Sequence, residues 1–209
     1  MPLVDSQIQT RNRVAFRTIG CRLNQCETAQ MQGAVVAGGY RLVDWDEPAD
    51  IRVVNTCTVT AKSDRTCRHE IRAAKRRDPE CMIAVTGCYA QVAPQVVAAI
   101  PGVDLVLGNR DKLRLAEWLR GQALVDQPKG DGAAAANRPA TEQPVIAVSP
   151  HRDEPGFEGE FFSHFYGYTR AFLKVQTGCD SRCAYCIVPL ARGPARSLPQ
   201  AKVLEQVQL

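Results

Sequence analysis

No stretch of the sequence approaches the roughly 20 apolar residues needed to span a bilayer. The opening residues, MPLVDSQIQTRNRVAF, lack a long apolar core and a small-residue cleavage site, so no secretory leader is expected. Histidine is scarce: His69, His151 and His164 stand at no ligand spacing and read as ordinary side chains. Excess charge of one sign is also scarce. The 26 lysines and arginines against 22 acids leave a net charge of +4, only a weak pointer to an anionic partner. What is present in quantity is cysteine, nine in 209 residues. Without a sign of export these thiols are expected in a reducing cytoplasm, where they indicate metal or redox chemistry rather than disulfides. Apolar residues make up 45%, enough for a packed core, and the length suits one large domain or a smaller domain plus part of another.

The first half alternates strands and helices. Residues 14–19, 51–56, 82–87 and 103–108 are apolar, β-rich runs and predict strands. Helices are expected at 25–37, from 63 or 64 to 77, at 94–100, and over DKLRLAEWLRG, where Leu115, Trp118 and Leu119 form an apolar stripe. This order predicts an α/β fold, a doubly wound parallel sheet with helices on both faces, over residues 1–122. Residues 123–165 are rich in Gly, Ala and Pro at first and then show little periodicity, and are expected to be a linker. YTRAFLKVQTG alternates like a strand and leads into the last cysteines, so 166–209 is expected to hold one strand, a cysteine loop and little more.

Cys21, Cys57 and Cys88 share one local pattern: FRTIGC, IRVVNTC and MIAVTGC each end an apolar strand in cysteine. In a parallel sheet the carboxyl ends of the strands lie on one edge, where ligands bind. Three thiols more than thirty residues apart can therefore converge. Gly20 and Gly87 allow close backbone approach, and helix N-termini favour an anionic ligand set. The pattern suits a three-thiolate iron–sulfur site with one iron free of a protein ligand; three buried free cysteines are the alternative. Cys179-x3-Cys183-x2-Cys186 is tighter. Structural zinc calls for a fourth nearby Cys or His and a Cys-x2-Cys knuckle, and this loop has no fourth ligand. Three thiolates can instead hold a cubane whose open iron binds a small molecule.

The triplet, with Tyr185 before its last cysteine, resembles the radical S-adenosylmethionine enzymes. KVQTGC, CAYCIVPLARG, IGCRLNQCET, VVNTCTVTAKSDRTCR and VTGCYAQ together resemble the methylthiotransferases. NTCTVT with GCYAQ is most like the branch that modifies N6-threonylcarbamoyladenosine beside the tRNA anticodon. The sequence departs from the family at Leu198, where another Arg tends to follow Arg196-Ser197, and it stops before most of a (β/α) barrel. The resemblance implies two [4Fe–4S] clusters. One, on Cys179, Cys183 and Cys186, would bind and cleave S-adenosylmethionine. An auxiliary one, on Cys21, Cys57 and Cys88, would hold the sulfur to be delivered. The implied product is a methylthio group at C2 of the modified adenine. The implied partners are the tRNA anticodon loop and an electron donor such as flavodoxin or ferredoxin, in the cytoplasm. Sister branches acting on isopentenyladenosine in tRNA or on a ribosomal-protein aspartate are the alternatives. So is a fragment that binds clusters and turns nothing over.

Arg65, Arg68, Arg72, Lys75 and Arg76 share one helical face, which is either a solvated surface or a phosphate-contacting stripe. Cys67 falls on the opposite face with Ile71 and Ala74 and reads as core, and Cys81 reads as structural. Cys26, five residues after Cys21, could sit close to the expected auxiliary site, although the resemblance requires no cysteine there. Arg192 and Arg196 follow the cysteine loop and are candidates for RNA phosphate, a cofactor carboxylate or solvent.

Overall fold

The computed structural model describes residues 12–121, 143–151, 166 and 172–209. Six parallel strands form one sheet: β1 (Arg13–Thr18), β2 (Arg41–Val43), β3 (Ile51–Thr56), β4 (Met82–Gly87), β5 (Leu105–Leu107) and β6 (Val145–Ala147). Their order is β2-β1-β3-β4-β5-β6. The order reverses between β1 and β3, and such a reversal opens a crevice at the carboxyl edge.

Both faces are covered. On one, Met31 and Val35 of α1 (Arg22–Ala37) and Leu115 and Leu119 of α5 (Leu115–Gly121) pack on Val14, Val53, Ala84 and Leu107. On the other, Cys67, Ile71 and Ala74 of α2 (Ala61–Arg77) join Val54, Ile83, Val85 and Val106. Tyr89 and Ala90 of α3 (Cys88–Val92) and Val97 of α4 (Pro94–Ala98) complete that face. Strands β3 and β4 are buried along their whole length between two helical layers, and the polar Arg52 and Asn55 of β3 are buried with hydrogen-bond partners.

Several boundaries differ from the sequence expectation, each for a local reason. Helix α1 starts at Arg22, directly after Cys21, rather than near Gln25. Helix α2 starts at Ala61 because the Thr60 side chain caps it, accepting from the Ser63 amide at 3.1 Å. A 3-10 turn (Asp111–Arg114) precedes α5. The span 123–165, expected to be a linker, contributes β6, which pairs with β5. The strand expected over YTRAFLKVQTG is reduced, within its described part, to β7 (Gln176–Thr177), paired antiparallel with β8 (Arg196–Ser197). The rest of that stretch up to residue 171 lies outside the described residues, as does His164. Between β7 and β8 come the cysteine loop and α6 (Val188–Arg192), and α7 (Gln200–Gln208) follows. No closed barrel exists among the described residues.

Candidate metal centre at the sheet edge

The register brings the first three cysteines to one edge. Thr56 of β3 lies beside Gly87 of β4, so Cys57 and Cys88 are the next residues of neighbouring strands. Cys21 follows β1, whose Thr18 pairs with Asn55 of β3. Cys21 and Cys57 therefore flank the point where the strand order reverses, and Cys88 lies one strand further along the same edge. Glycine is required at two of these turns. Gly20 has φ +127°, and a Cβ there would stand 2.8 Å from that of Cys57. Gly87 has φ +98°, and a Cβ would run into the Thr56 backbone. Both positions clear space beside the thiols that no other residue would leave.

Asn24, in the first turn of α1, ties this corner together. Its Nδ2 donates to the Thr56 carbonyl at 2.9 Å, and its Oδ1 accepts from Cys21 Sγ at 3.2 Å and Arg192 Nη2 at 3.3 Å. Asn55 of β3 donates to the Asn24 carbonyl and to Thr28 Oγ1, both at 3.0 Å. Behind Asn24 lies a buried ionic hub. Glu27 is 2% exposed and faces Lys112 at 2.6 Å, Arg192 at 2.7 Å and Lys174 at 3.2 Å. Arg192 grips both carboxylate oxygens. Burial works to raise the Glu27 carboxyl, but Lys112, Arg192 and Lys174 outweigh it and hold the group well below the usual carboxylate range. With three basic side chains to one carboxylate, the hub is electropositive. Burial pushes the Cys88 thiol up, and Arg192 and Lys112 pull it back. Asn109 links the two sites, its Nδ2 lying 4.0 Å from Cys88 Sγ and 2.6 Å from the Ala191 carbonyl.

The second cysteine set lies on a loop that closes on itself. The Cys179 amide donates to the Gly193 carbonyl at 3.1 Å, the Cys186 amide to the Cys183 carbonyl at 3.0 Å, and Asp180 accepts from the Ala195 amide at 2.9 Å. Cys183 is exposed, Cys179 and Cys186 are half-buried, and Tyr185 projects into solvent with 91% of its surface exposed. Arg192 faces Glu27 and Asn24, and Arg196 donates to the Arg192 carbonyl at 3.3 Å.

The remaining cysteines are of another kind. Burial pushes Cys67 up to about 12, and Cys26 and Cys81 up to about 11 each, so these thiols stay protonated near neutrality in the metal-free chain. Cys67 donates to the Cys57 carbonyl at 3.4 Å from within the core. Of the basic stripe, Arg65, Arg72 and Arg76 are exposed, whereas Arg68 is half-buried, donating to Tyr89 Oη at 2.8 Å. Lys75 is held by the Cys81 carbonyl at 2.9 Å.

Among the described residues no three His, Cys, Asp or Glu side chains converge closely enough to enclose one metal ion. A four-iron cubane is wider than a single ion, so three thiolates can bind three different irons without converging on one point. The first cysteine set fits such a group on the chemistry of its surroundings: three thiols on one edge, glycine-cleared backbone, and an electropositive hub behind an anionic ligand set. No described helix is long and apolar enough to cross a membrane.

Sequence reasoning missed Asn24, Glu27, Asn109, Lys112 and Lys174. One signal was available. Glu27 stands four and eight residues before Met31 and Val35 on the buried stripe of α1, and a carboxylate on an apolar stripe needs a buried partner.

Residues 13–108 match a family described as "Uncharacterized protein family UPF0004". The chain is 38% identical over 197 residues to the threonylcarbamoyladenosine tRNA methylthiotransferase MtaB of Aquifex aeolicus, covering 94% of this chain and 44% of that protein. It is 38% identical over 195 residues to the protein of the same name from Bacillus subtilis, with 93% and 40% covered. A tRNA-2-methylthio-N(6)-dimethylallyladenosine synthase of Syntrophotalea carbinolica is 34% identical over 200 residues, with 93% and 42% covered. By sequence the chain belongs to the methylthiotransferase family, and it spans less than half the length of these curated relatives.

Proposed function

We propose that the chain forms the amino-terminal part of a tRNA methylthiotransferase that adds a methylthio group to C2 of N6-threonylcarbamoyladenosine beside the anticodon. The observation that carries this reading is the meeting of two three-cysteine sets: the segment bearing Cys179, Cys183 and Cys186 is bonded, through Arg192 and Ala191, to the edge bearing Cys21 and Cys88. The 38% identity to the MtaB proteins of Aquifex aeolicus and Bacillus subtilis, against 34% to the dimethylallyladenosine synthase, supports this substrate over the dimethylallyl analogue. Two [4Fe–4S] clusters and S-adenosylmethionine would supply one-electron cleavage and the sulfur to be transferred. Cys21, Cys57 and Cys88 would hold the auxiliary cluster. Cys179, Cys183 and Cys186 would hold the other, whose open iron takes S-adenosylmethionine, with Tyr185 on the same loop. Each set would supply three thiolates to a four-iron group, one fewer than its irons, as a site that must bind a small molecule requires. Gly20 and Gly87 clear the backbone from the auxiliary site, and Asn24 orients Cys21 against the closing loop. Arg65, Arg72 and Arg76 offer an exposed row of cations to tRNA phosphates. An adenine beside the anticodon lies in a single-stranded loop, where its C2 edge can be splayed out to the site.

The reaction is cytoplasmic in this account, and its electrons come from a carrier such as flavodoxin or ferredoxin. A polypeptide of these 209 residues is expected to bind iron but not to cleave S-adenosylmethionine. Nucleoside mass spectrometry of total tRNA from a deletion strain tests the assignment. The 2-methylthio form of N6-threonylcarbamoyladenosine should disappear. Its persistence, with loss of the dimethylallyl derivative or of a mass increment on a ribosomal protein, would move the chain to a sister branch.

A further inference from the structure

Glu27 joins parts of the chain that are far apart in sequence. Lys112 approaches from the sheet domain, 85 residues away. Lys174 and Arg192 approach from 147 and 165 residues away and flank the cysteine loop on either side. Asn24 bonds both Cys21 and Arg192, and Asn109 bonds the Ala191 carbonyl while approaching Cys88. Both ion pairs that join the two cysteine-bearing parts among the described residues thus fall on one carboxylate, beside bonds made by Asn24, Asn109 and Cys26.

The charge count makes Glu27 unequal to its partners. Buried like charges repel strongly where water does not screen them. With Glu27 in place, each of the three cations has an anion within 3.2 Å. Without it, Lys174 and Arg192 are buried beside Lys112 with no carboxylate among them, and the attraction that holds the later segment is lost. Loss of Lys174 alone leaves Glu27 satisfied by Lys112 and the two-pronged Arg192.

We propose that Glu27 is a positioning residue: it docks the segment carrying Cys179, Cys183 and Cys186 onto the sheet edge carrying Cys21, Cys57 and Cys88, and so fixes the separation of the two sets. Its meaning for sulfur transfer rests on the proposed function, but the docking itself does not require metal. The separation matters because a sulfur held at one set must reach a substrate activated at the other, and a shift of about 1 Å in such a geometry costs on the order of 100-fold in rate.

Hydrogen exchange on the metal-free chain reads the docking directly. Glu27→Gln should speed exchange of residues 174–197 by on the order of 100-fold, the consequence of breaking a buried ion pair. Lys174→Met should change it by less than about 10-fold, because the hub keeps its anion. Peptides from β3 and β4 should be unchanged in both. Arg192→Lys, which keeps the charge and loses the two-pronged grip, should fall between wild type and Arg192→Gln. After anaerobic reconstitution, electron paramagnetic resonance of the reduced wild type should show two clusters in magnetic interaction. Glu27→Gln should show two independent signals at unchanged iron content. Wild-type exchange in Glu27→Gln would overturn the proposal, and so would iron loss from the variant with segment 174–197 still protected. If Glu27→Gln disrupts the sheet, Arg192→Gln carries the same prediction from the segment's side. A wild-type chain that takes up no iron would contradict the proposed function alone, since the exchange experiment still decides the docking.

Discussion

Replacing Gly87 by Ala tests whether the backbone beside Cys57 and Cys88 is shaped as described. Two costs add at this position. A side chain at φ +98° carries about 1–2 kcal/mol of backbone strain. The new methyl would also press on the Thr56 backbone in the adjacent strand, at the last paired position before the two cysteines. Overpacking of that kind costs about 1–3 kcal/mol. Gly39 separates the two effects: its φ is +89°, and a Cβ there would meet nothing within 4 Å. Gly39→Ala should therefore lose only the strain, about 1–2 kcal/mol, and Gly87→Ala about 2–5 kcal/mol. Urea unfolding with an unchanged slope reads both as a shift in midpoint. Because the strain is relieved by parting β3 from β4, Gly87→Ala should also take up less iron at the auxiliary set, whereas Gly39→Ala should not. Equal stability loss in the two variants would refute the close approach inferred at Gly87.

The exposed stripe makes a prediction of another kind. Changing Arg65, Arg72 and Arg76 to Gln should weaken tRNA binding and flatten its salt dependence by about 0.7–0.9 for each phosphate no longer neutralised, and an unchanged slope would return the row to a solvated surface. Arg68→Gln should instead lower stability, because its guanidinium is spent on Tyr89. Acid should release the docked segment only late. The folded carboxyl of Glu27 is depressed, so its contribution is complete above its unfolded value of about 4.3 and fades as pH falls through the lower folded value. Of the groups facing it, Arg192 is pushed up because Glu27 outweighs its burial, Lys112 is pushed down by burial against the pull of Glu27, and Cys26 and Cys88 are pushed up by burial. Exchange protection of 174–197 should therefore persist well below a pH of about 4.3, and Glu27→Gln should lack this acid step.

The parts of the fold that could be read from the sequence were those fixed by local chemistry. Residues 51–56 and 82–87 are largely apolar runs followed by cysteine, and both are buried strands. The 67/71/74 stripe of α2 has helical period, and all three residues are buried. Strands β2 and β6 escaped notice because each is three residues long and only partly buried, unlike the equally short but fully buried β5, and β6 is recruited by pairing with β5 across a long interval. Conversely, YTRAFLKVQTG alternates well, yet in its described part only Gln176 and Thr177 enter a ladder, because β8 offers only two residues to pair with. The cysteines could be found because they end strands. Glu27 and its partners could not be assembled from sequence, since the pairings span 85 to 165 residues and nothing local distinguishes a buried lysine from an exposed one.

Iron and acid-labile sulfide per chain, measured after anaerobic reconstitution, test the central claim most directly. Wild type should approach about eight of each if both sites are cubanes. Replacing Cys179, Cys183 and Cys186 together by Ala should leave about four, and replacing Cys21, Cys57 and Cys88 together should also leave about four. Replacing Cys26, Cys67 and Cys81 should leave all eight or so in place. Iron content indifferent to either ligand triplet, or dependent on Cys67 or Cys81, would contradict the account.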